Sequence, residues 1–449
     1  MSDKECYVLS PSQDVSYLQC RYTLFKRVIN ILTSATFEYD FDYDTMKKAF
    51  DLIVERNDCL RIRFFKEKGE LKQYFGEAEP LRDIPVLKFT DKTKQDKFID
   101  RTRKKAIDYL HGKVIEPYFI ETYDNKKMIL LKVCHLVLDI YGINVIYRDL
   151  LAVYEALKEG KELPEAPGCY EEVVKHDIER GNNPRLLERN REFFSNLLDD
   201  HPEPYYAGLH GPDNPIWQKK VKSHHRGMKM FFVQNDTVDY RHKIDSELVN
   251  RVLDYCKEKQ CSPAHFLFYT CSLAAARLNG NVRNLLPLCL YNCRVSPAEK
   301  ACAGSKVQSI ASYTRFNYRE SFEDNFEIFA TNQAALGRYV GFSDRSFEGM
   351  LHDKYRSSLL ETYYFLTYSF IPFEMPEGVK LDIYSNGKGA LPAYVVQLLD
   401  PKTNEITMVY DVQTKIISEE QLRSFHEMYL KVIRQVLDDP KKELRDIEI

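Results

Sequence analysis

The chain has 449 residues, 44% hydrophobic and 29% charged, the balance of a globular protein too long for one ordinary core. A net charge of −3 excludes the broad basic field that nucleic acid requires, and the Lys/Arg clusters at 101–105 and 219–226 read as solvated faces. No apolar run approaches the roughly 18 residues of a membrane span, residues 1–20 lack the pattern of a signal peptide, and the eleven cysteines contain no Cys-x-x-Cys pair. Cys289 and Cys293 lie closest in sequence without a histidine at zinc-ligand spacing, so buried free thiols, no metal and a cytoplasmic location are expected.

In chain order, residues 43–57 have the spacing of an amphipathic helix, and 59–65 with 71–75 read as a hairpin about Lys68-Gly69. A second hairpin turns at Asp124-Asn125-Lys126 and delivers a strand that ends at His135. Ile143, Ile146, Tyr147, Leu150, Leu151, Tyr154 and Leu157 then recur at helical spacing, with Gly160 as the stop. A Pro-rich break at 163–168, a charged helical segment and an irregular stretch at 201–226 form the expected connection between two halves. The second half opens with a helix capped by Ser246 and running to Lys259, then an apolar helix from Ser262-Pro263 to Asn279-Gly280. It closes on a capping box, Ser418 with Gln421, whose helix turns Leu422, Phe425, Tyr429, Ile433 and Val436 toward a core.

Function is most legible in Lys132-Val133-Cys134-His135-Leu136-Val137-Leu138-Asp139-Ile140-Tyr141-Gly142, where a His-x-x-x-Asp pair interrupts a buried strand running into a helix. His135 and Asp139 share a side only if the chain stays extended between them; a loop would part them. With eleven histidines in the chain the spacing occurs about once by chance. A satisfied core histidine and a chemical one both fit so far.

Blocks elsewhere decide the reading. The stretch resembles the His-His-x-x-x-Asp-Gly signature of nonribosomal peptide synthetase condensation domains, members of the chloramphenicol-acetyltransferase-like superfamily. Ser10-Pro11-Ser12-Gln13 is similar to the family's opening Ser-x-x-Gln block, and Asn57-Asp58-Cys59-Leu60-Arg61-Ile62-Arg63-Phe64 to His-x-x-Leu-Arg-Thr-x-Phe. Tyr170-Glu171-Glu172-Val173-Val174 resembles Tyr-x-Asp-Tyr-Ala and is followed by Arg191-Glu192-Phe193-Phe194. Gly304-Ser305-Lys306-Val307-Gln308-Ser309 resembles Gly-x-Phe-Val-Asn-Thr, Asp353-Lys354-Tyr355-Arg356-Ser357-Ser358-Leu359 resembles Asp-x-Ser-Arg-Asn-Pro-Leu, and Tyr410-Asp411 the closing Tyr-Asn/Asp segment. Each block is degenerate alone; their shared order is the specific signal.

The resemblance implies an α/β fold of two chloramphenicol-acetyltransferase-like lobes, residues 1–178 and 179–449, each a mixed sheet with helices, arranged as a V around a central tunnel. It implies no cofactor bound by the domain itself, and substrates carried as thioesters on coenzyme A or the phosphopantetheine of carrier proteins. His135 becomes the catalytic residue, by taking a proton from the attacking amine or by orienting it. Asp139 becomes a structural anchor paired with Arg61, and Tyr141, Gln308 and Ser309 candidate lining of the tunnel.

Two positions depart from the pattern. Cys134 stands for the first signature His, and Ile140 for Gly, where a β-branched side chain resists positive φ and adds bulk; Gly142 is then the nearest source of backbone freedom. Met1 lies just upstream of the first block, and 444–449 falls where the family enters a linker to an adenylation domain. The expected activity is therefore that of a starter condensation domain, N-acylating a carrier-bound amino acid with a fatty acyl group from acyl-CoA or an acyl-carrier protein. The alternatives are an elongation-type or free-standing condensation domain with a peptidyl donor, and a non-catalytic module that recruits carrier proteins.

Overall fold

The strand leading into the signature, Lys127–Cys134, is buried from Met128 to Cys134, so its apolar run is that of a central strand and not the alternation of a half-exposed one. It is the middle of a five-stranded mixed sheet ordered Val379–Tyr384, Asn30–Phe37, Lys127–Cys134, Ile115–Glu121, Val86–Lys88. The last pair is parallel and the others antiparallel. The computed structural model describes residues 5–23, 25–81, 83–112, 114–212, 227–229, 235–340, 344–358, 361–389 and 391–449. Residues 213–226 of the expected connection, with the basic cluster at 219–226, and Leu359 lie outside the described residues.

Both faces of this sheet are covered. On one, Leu32, Ile120, Met128 and Leu130 pack with Ile99 of the Lys92–Lys104 helix, and each fully buried aliphatic side chain is worth about 2 kcal/mol. Lys132 lies fully buried opposite Leu32 and Glu116, whose carboxylate takes its ammonium at 2.6 Å. On the other face Thr33 Oγ1 meets the Tyr147 hydroxyl of the Ile140–Glu159 helix at 3.1 Å.

Local chemistry sets the elements as the sequence leads one to expect. Lys68 and Gly69 both have positive φ, the turn that closes the Ile62–Glu67 and Glu70–Phe75 hairpin. Residues 59–61, expected as its first residues, belong instead to a 3₁₀ turn over Asp58–Arg61. Gly160 caps the Ile140–Glu159 helix in the left-handed region.

A second mixed sheet, all of it but residues 292 and 307–308 in the second unit, is ordered Val307–Ala311, Leu288–Asn292, Thr367–Pro372, Ala393–Asp400, Glu405–Gln413, Thr237–Ile244. The Pro263–Leu278 helix is buried without a break from Phe266 to Ala276, which accounts for its being apolar all round. The last helix, Glu419–Asp438, has the expected capping box, and Leu422, Phe425, Tyr429, Ile433 and Val436 are fully buried. Asp245 and not Ser246 caps the Ser246–Glu258 helix: its carboxylate accepts the Leu248 N–H at 2.9 Å.

The compact units are not the continuous stretches 1–178 and 179–449. The first comprises Met1–Asn183, Asn292–Gln308 and Glu374–Lys388; the second Pro184–Tyr291, Ser309–Phe373 and Gly389–Ile449. The physical reason is visible inside the first unit. Val379–Tyr384 supplies the edge strand paired residue by residue with Asn30–Phe37, and the 292–308 segment supplies the partner of Asp139.

Candidate functional site

Hydrogen bonding stops the strand at Cys134. The Cys134 carbonyl accepts the N–H groups of Val137 (2.9 Å) and Leu138 (3.2 Å), a tight turn, while the His135 N–H still reaches Ile29 O at 2.8 Å. The Leu136 carbonyl at the turn's apex accepts Gln13 Nε2 at 3.0 Å. Gln13 is fully buried, completes a capping box with Ser10, and pairs amide to amide with Gln73 at 2.6 and 2.8 Å. The first sequence block thus grips the signature turn, a role its Ser-x-x-Gln pattern did not announce.

His135 is left half-buried on this turn, with Nδ1 enclosed and without a hydrogen-bond partner. Burial lowers its pKa from the ordinary histidine value, opposed by the charge of Asp139 and by backbone carbonyls, so the imidazole is neutral near pH 7. A neutral imidazole is competent to accept a proton or a hydrogen bond. Asp139 does not act on it through a hydrogen bond, because its carboxylate is otherwise committed.

Asp139 begins the Ile140–Glu159 helix as its N-cap, accepting the Gly142 N–H at 2.7 Å. Arg294 donates two further bonds, at 2.9 and 3.2 Å, and the Lys306 and Val307 N–H groups donate at 2.7 and 3.0 Å. Burial pushes the carboxyl pKa up, but Arg294 and these donors outweigh it and the group stays ionised. Arg294 is satisfied in turn by Gly304 O and Asn292 Oδ1, both at 2.7 Å, and lies 4.5 Å from the centre of the Tyr141 ring.

The ion pair therefore differs from the expectation that named Arg61. Arg61 ends the 3₁₀ turn before its strand, its carbonyl accepts the Gly76 N–H, and its Nε is enclosed without a partner. Asp139 has no acceptor capacity left to draw it in. Arg294 sits in no block that was singled out; its only signal is an arginine just after the apolar Leu288–Asn292 strand.

Backbone crossing explains the glycines. A Cβ on Gly142 would stand 2.5 Å from Gly304 O, and one on Gly304 would strike the Tyr170 ring at 2.2 Å, at a φ of +129°. Tyr170 is held by Ser305 O (2.6 Å) and by Asp58, whose carboxylate accepts the N–H groups of Tyr170 and Glu171 at 2.9 Å. Gly142 thus serves close approach, not the flexibility expected of it. Ile140 is the first residue of a right-handed helix and half-exposed; its position asks for no positive φ, so the departure from Gly costs no backbone strain.

The remaining named residues fall as follows. Cys134 is fully buried, and burial pushes its thiol up to about 12, which removes it as a nucleophile. Tyr141 donates its hydroxyl to Lys300 O at 2.9 Å. Gln308 is half-buried and Ser309 buried in the Val307–Ala311 strand. His176, Asp177 and Glu299 bring three metal-ligating groups near one another. Lys306 Nζ already takes both carboxylates, Asp177 at 2.6 Å and Glu299 at 3.0 Å. Although burial pushes Glu299 up, the Ser296 and Val295 N–H groups and Lys306 bring it to about 2.

A family model described as "Condensation domain" matches residues 3–259. A plipastatin synthase protein of Bacillus subtilis is 18% identical over 432 residues, 94% of this chain but 16% of that protein; tyrocidine synthase 3 of Brevibacillus parabrevis is 24% identical over 174 residues, 38% of this chain and 3% of that protein. The chain thus spans a small fraction of these relatives. The starter condensation domain of rhizomide synthetase, solved with C8-CoA, superposes with a TM-score of 0.80 at 15% identity, covering 99% of this chain and 97% of that one. The first condensation domain of the calcium-dependent antibiotic synthetase, in complex with a substrate analogue, gives 0.82 at 14% identity, covering 99% of each.

Proposed function

Because the chain belongs to the condensation-domain family, whose members are amide-forming acyltransferases, we propose that it joins a fatty acyl thioester to the amine of a carrier-bound amino acid, as a starter condensation domain. The observation that carries this reading is His135: a neutral imidazole, unpartnered at Nδ1, on a turn locked by Gln13 and by the Asp139–Arg294 pair. The amine nitrogen attacks the thioester carbonyl, the C–N bond forms and the C–S bond breaks. His135 holds or accepts the amine proton, which passes to the departing thiolate. Since Asp139 is saturated elsewhere, the site is no Ser-His-Asp relay, and no covalent enzyme intermediate enters.

The starter assignment is supported by the likeness to the rhizomide synthetase domain, itself bound to C8-CoA. Acyl-CoA or an acyl-carrier protein is the proposed donor, with a downstream carrier protein, an adjoining adenylation domain and a cytoplasmic setting as partners and place. No described helix is long and apolar enough to cross a membrane.

The test supplies octanoyl-CoA and an aminoacyl carrier protein and follows the N-acyl product by mass spectrometry. We expect product from the parent chain and a loss of at least a hundredfold in His135→Ala. Turnover with a peptidyl donor but not with octanoyl-CoA would overturn the starter assignment. Equal product from parent and variant would overturn the role of His135, and no product from any thioester donor would leave only carrier recruitment.

A further inference from the structure

The sequence pattern treats the cysteines as dispersed, yet one pair is brought together by a helix terminus. The Ser246–Glu258 helix ends in a Schellman turn: Gln260 takes a left-handed φ of 52°, its N–H reaches Lys257 O at 3.4 Å, and the Cys261 N–H reaches Cys256 O at 2.9 Å. Such a turn folds the second residue past the cap back over the helix's last full turn, here placing Cys261 on Cys256. The Cys261 side chain packs against the buried cluster that contains Cys256. Cys256 is buried, whereas Cys261 is half-exposed, so a reagent has access to one sulfur and the other waits behind it.

The turn geometry points to a modification site: we propose that Cys256 and Cys261 interconvert between dithiol and disulfide by exchange with small disulfides such as oxidised glutathione. Neither residue belongs to the condensation site, and the proposal does not depend on the reading of that site. Cys261, the half-exposed member of the pair, is the sulfur a dissolved disulfide can reach, which assigns attack to Cys261 and resolution to the buried Cys256. In the first step the Cys261 thiolate attacks one sulfur of the oxidant, whose S–S bond breaks, and one thiolate leaves carrying the electron pair. In the second, Cys256 gives its proton to a base or to the released thiolate and attacks Cys261 Sγ. The Cys256–Cys261 bond forms and the second glutathione leaves. Two cysteine thiols are oxidised and one glutathione disulfide is reduced to two thiols.

Sequence makes the product readable. Trypsin cutting after Arg251 and Lys257 frees Cys256 on a six-residue peptide, and cutting after Lys259 and Arg277 frees Cys261 together with the buried Cys271. The folded protein is treated with oxidised glutathione at pH 8, alkylated and digested without reductant. We expect the two peptides linked, with fragmentation placing the bond on Cys261, and complete release by dithiothreitol. Cys256→Ser should leave Cys261 carrying glutathione, and Cys261→Ser should leave Cys256 free. Exposed Cys6 and Cys169 serve as internal controls. Glutathione on those two with residues 256 and 261 unlinked would overturn the proposal, as would a link through Cys271.

Discussion

Asp139 takes four of its five hydrogen bonds from Arg294, Lys306 and Val307 and only one from its own helix. Removing one partner of a buried pair leaves an uncompensated charge, so Arg294→Ala should destabilise the fold by about 3–5 kcal/mol, whereas Arg61→Ala should cost under about 1 kcal/mol. Urea titration of both variants separates the two assignments, and equal losses would return Arg61 to the anchor. At His135 the sign of the pKa shift fixes the pH profile: the neutral form is the base, and burial favours it. The acid limb of kcat/KM therefore lies below pH 6.5, the ordinary histidine value. A limb above 7 would contradict the enclosure of the ring. His135 and Asp139 were legible in the sequence because they sit in one short signature. Arg294 was not, because a partner 155 residues away leaves no local pattern.

At the scale of elements, the start of the Ile140–Glu159 helix is fixed by the crossing of Gly142 over Gly304. Gly142→Ala puts a methyl group 2.5 Å from a backbone oxygen, with no side-chain tip to yield, and should cost about 1–3 kcal/mol by overpacking. Ile140→Gly, which restores the family signature, should do the opposite of rescue. It removes a helix-compatible residue from a helical position, loses up to about 1 kcal/mol, and leaves the rate of amide formation unchanged within twofold. A tenfold gain in turnover would show that Ile140 obstructs the substrate. Periodicity and caps, being local statements, made helices such as Ile140–Glu159 and Glu419–Asp438 visible in advance, with the Gly160 stop and the Ser418–Gln421 capping box where the sequence places them, whereas Pro11–Tyr22, Lys92–Lys104, Phe322–Leu336 and Asp344–Tyr355 went unread. The strand expected from Cys59 gives way to a 3₁₀ turn at Asp58–Arg61, whose Asp58 carboxylate holds the 170–171 backbone, a tertiary contact that propensity does not encode.

Across the whole molecule, acid should act first on buried histidines. His426 is buried against Tyr410, its Nδ1 3.0 Å from the hydroxyl, and stacks on His242. Burial, with the neighbouring His242, lowers its pKa to about 4. A folded pKa below the unfolded value near 6.5 means that the unfolded chain binds the extra proton. Stability is therefore full above pH 6.5 and falls as pH drops toward 4, by on the order of 3 kcal/mol from this group. Melting temperatures between pH 7 and 4 should show this slope, flattened in His426→Gln; an unchanged slope would place the acid sensitivity elsewhere.

The interleaving of the two units also sets an order of events in synthesis. The first unit draws its edge strand from Val379–Tyr384 and the counter-charge of Asp139 from Arg294. A nascent chain that has reached residue 183 has therefore made a sheet with an open edge and a buried carboxylate without its cation. That unit cannot close until residue 388 has left the ribosome, so the segment that holds the candidate catalytic turn waits for a strand made long after it.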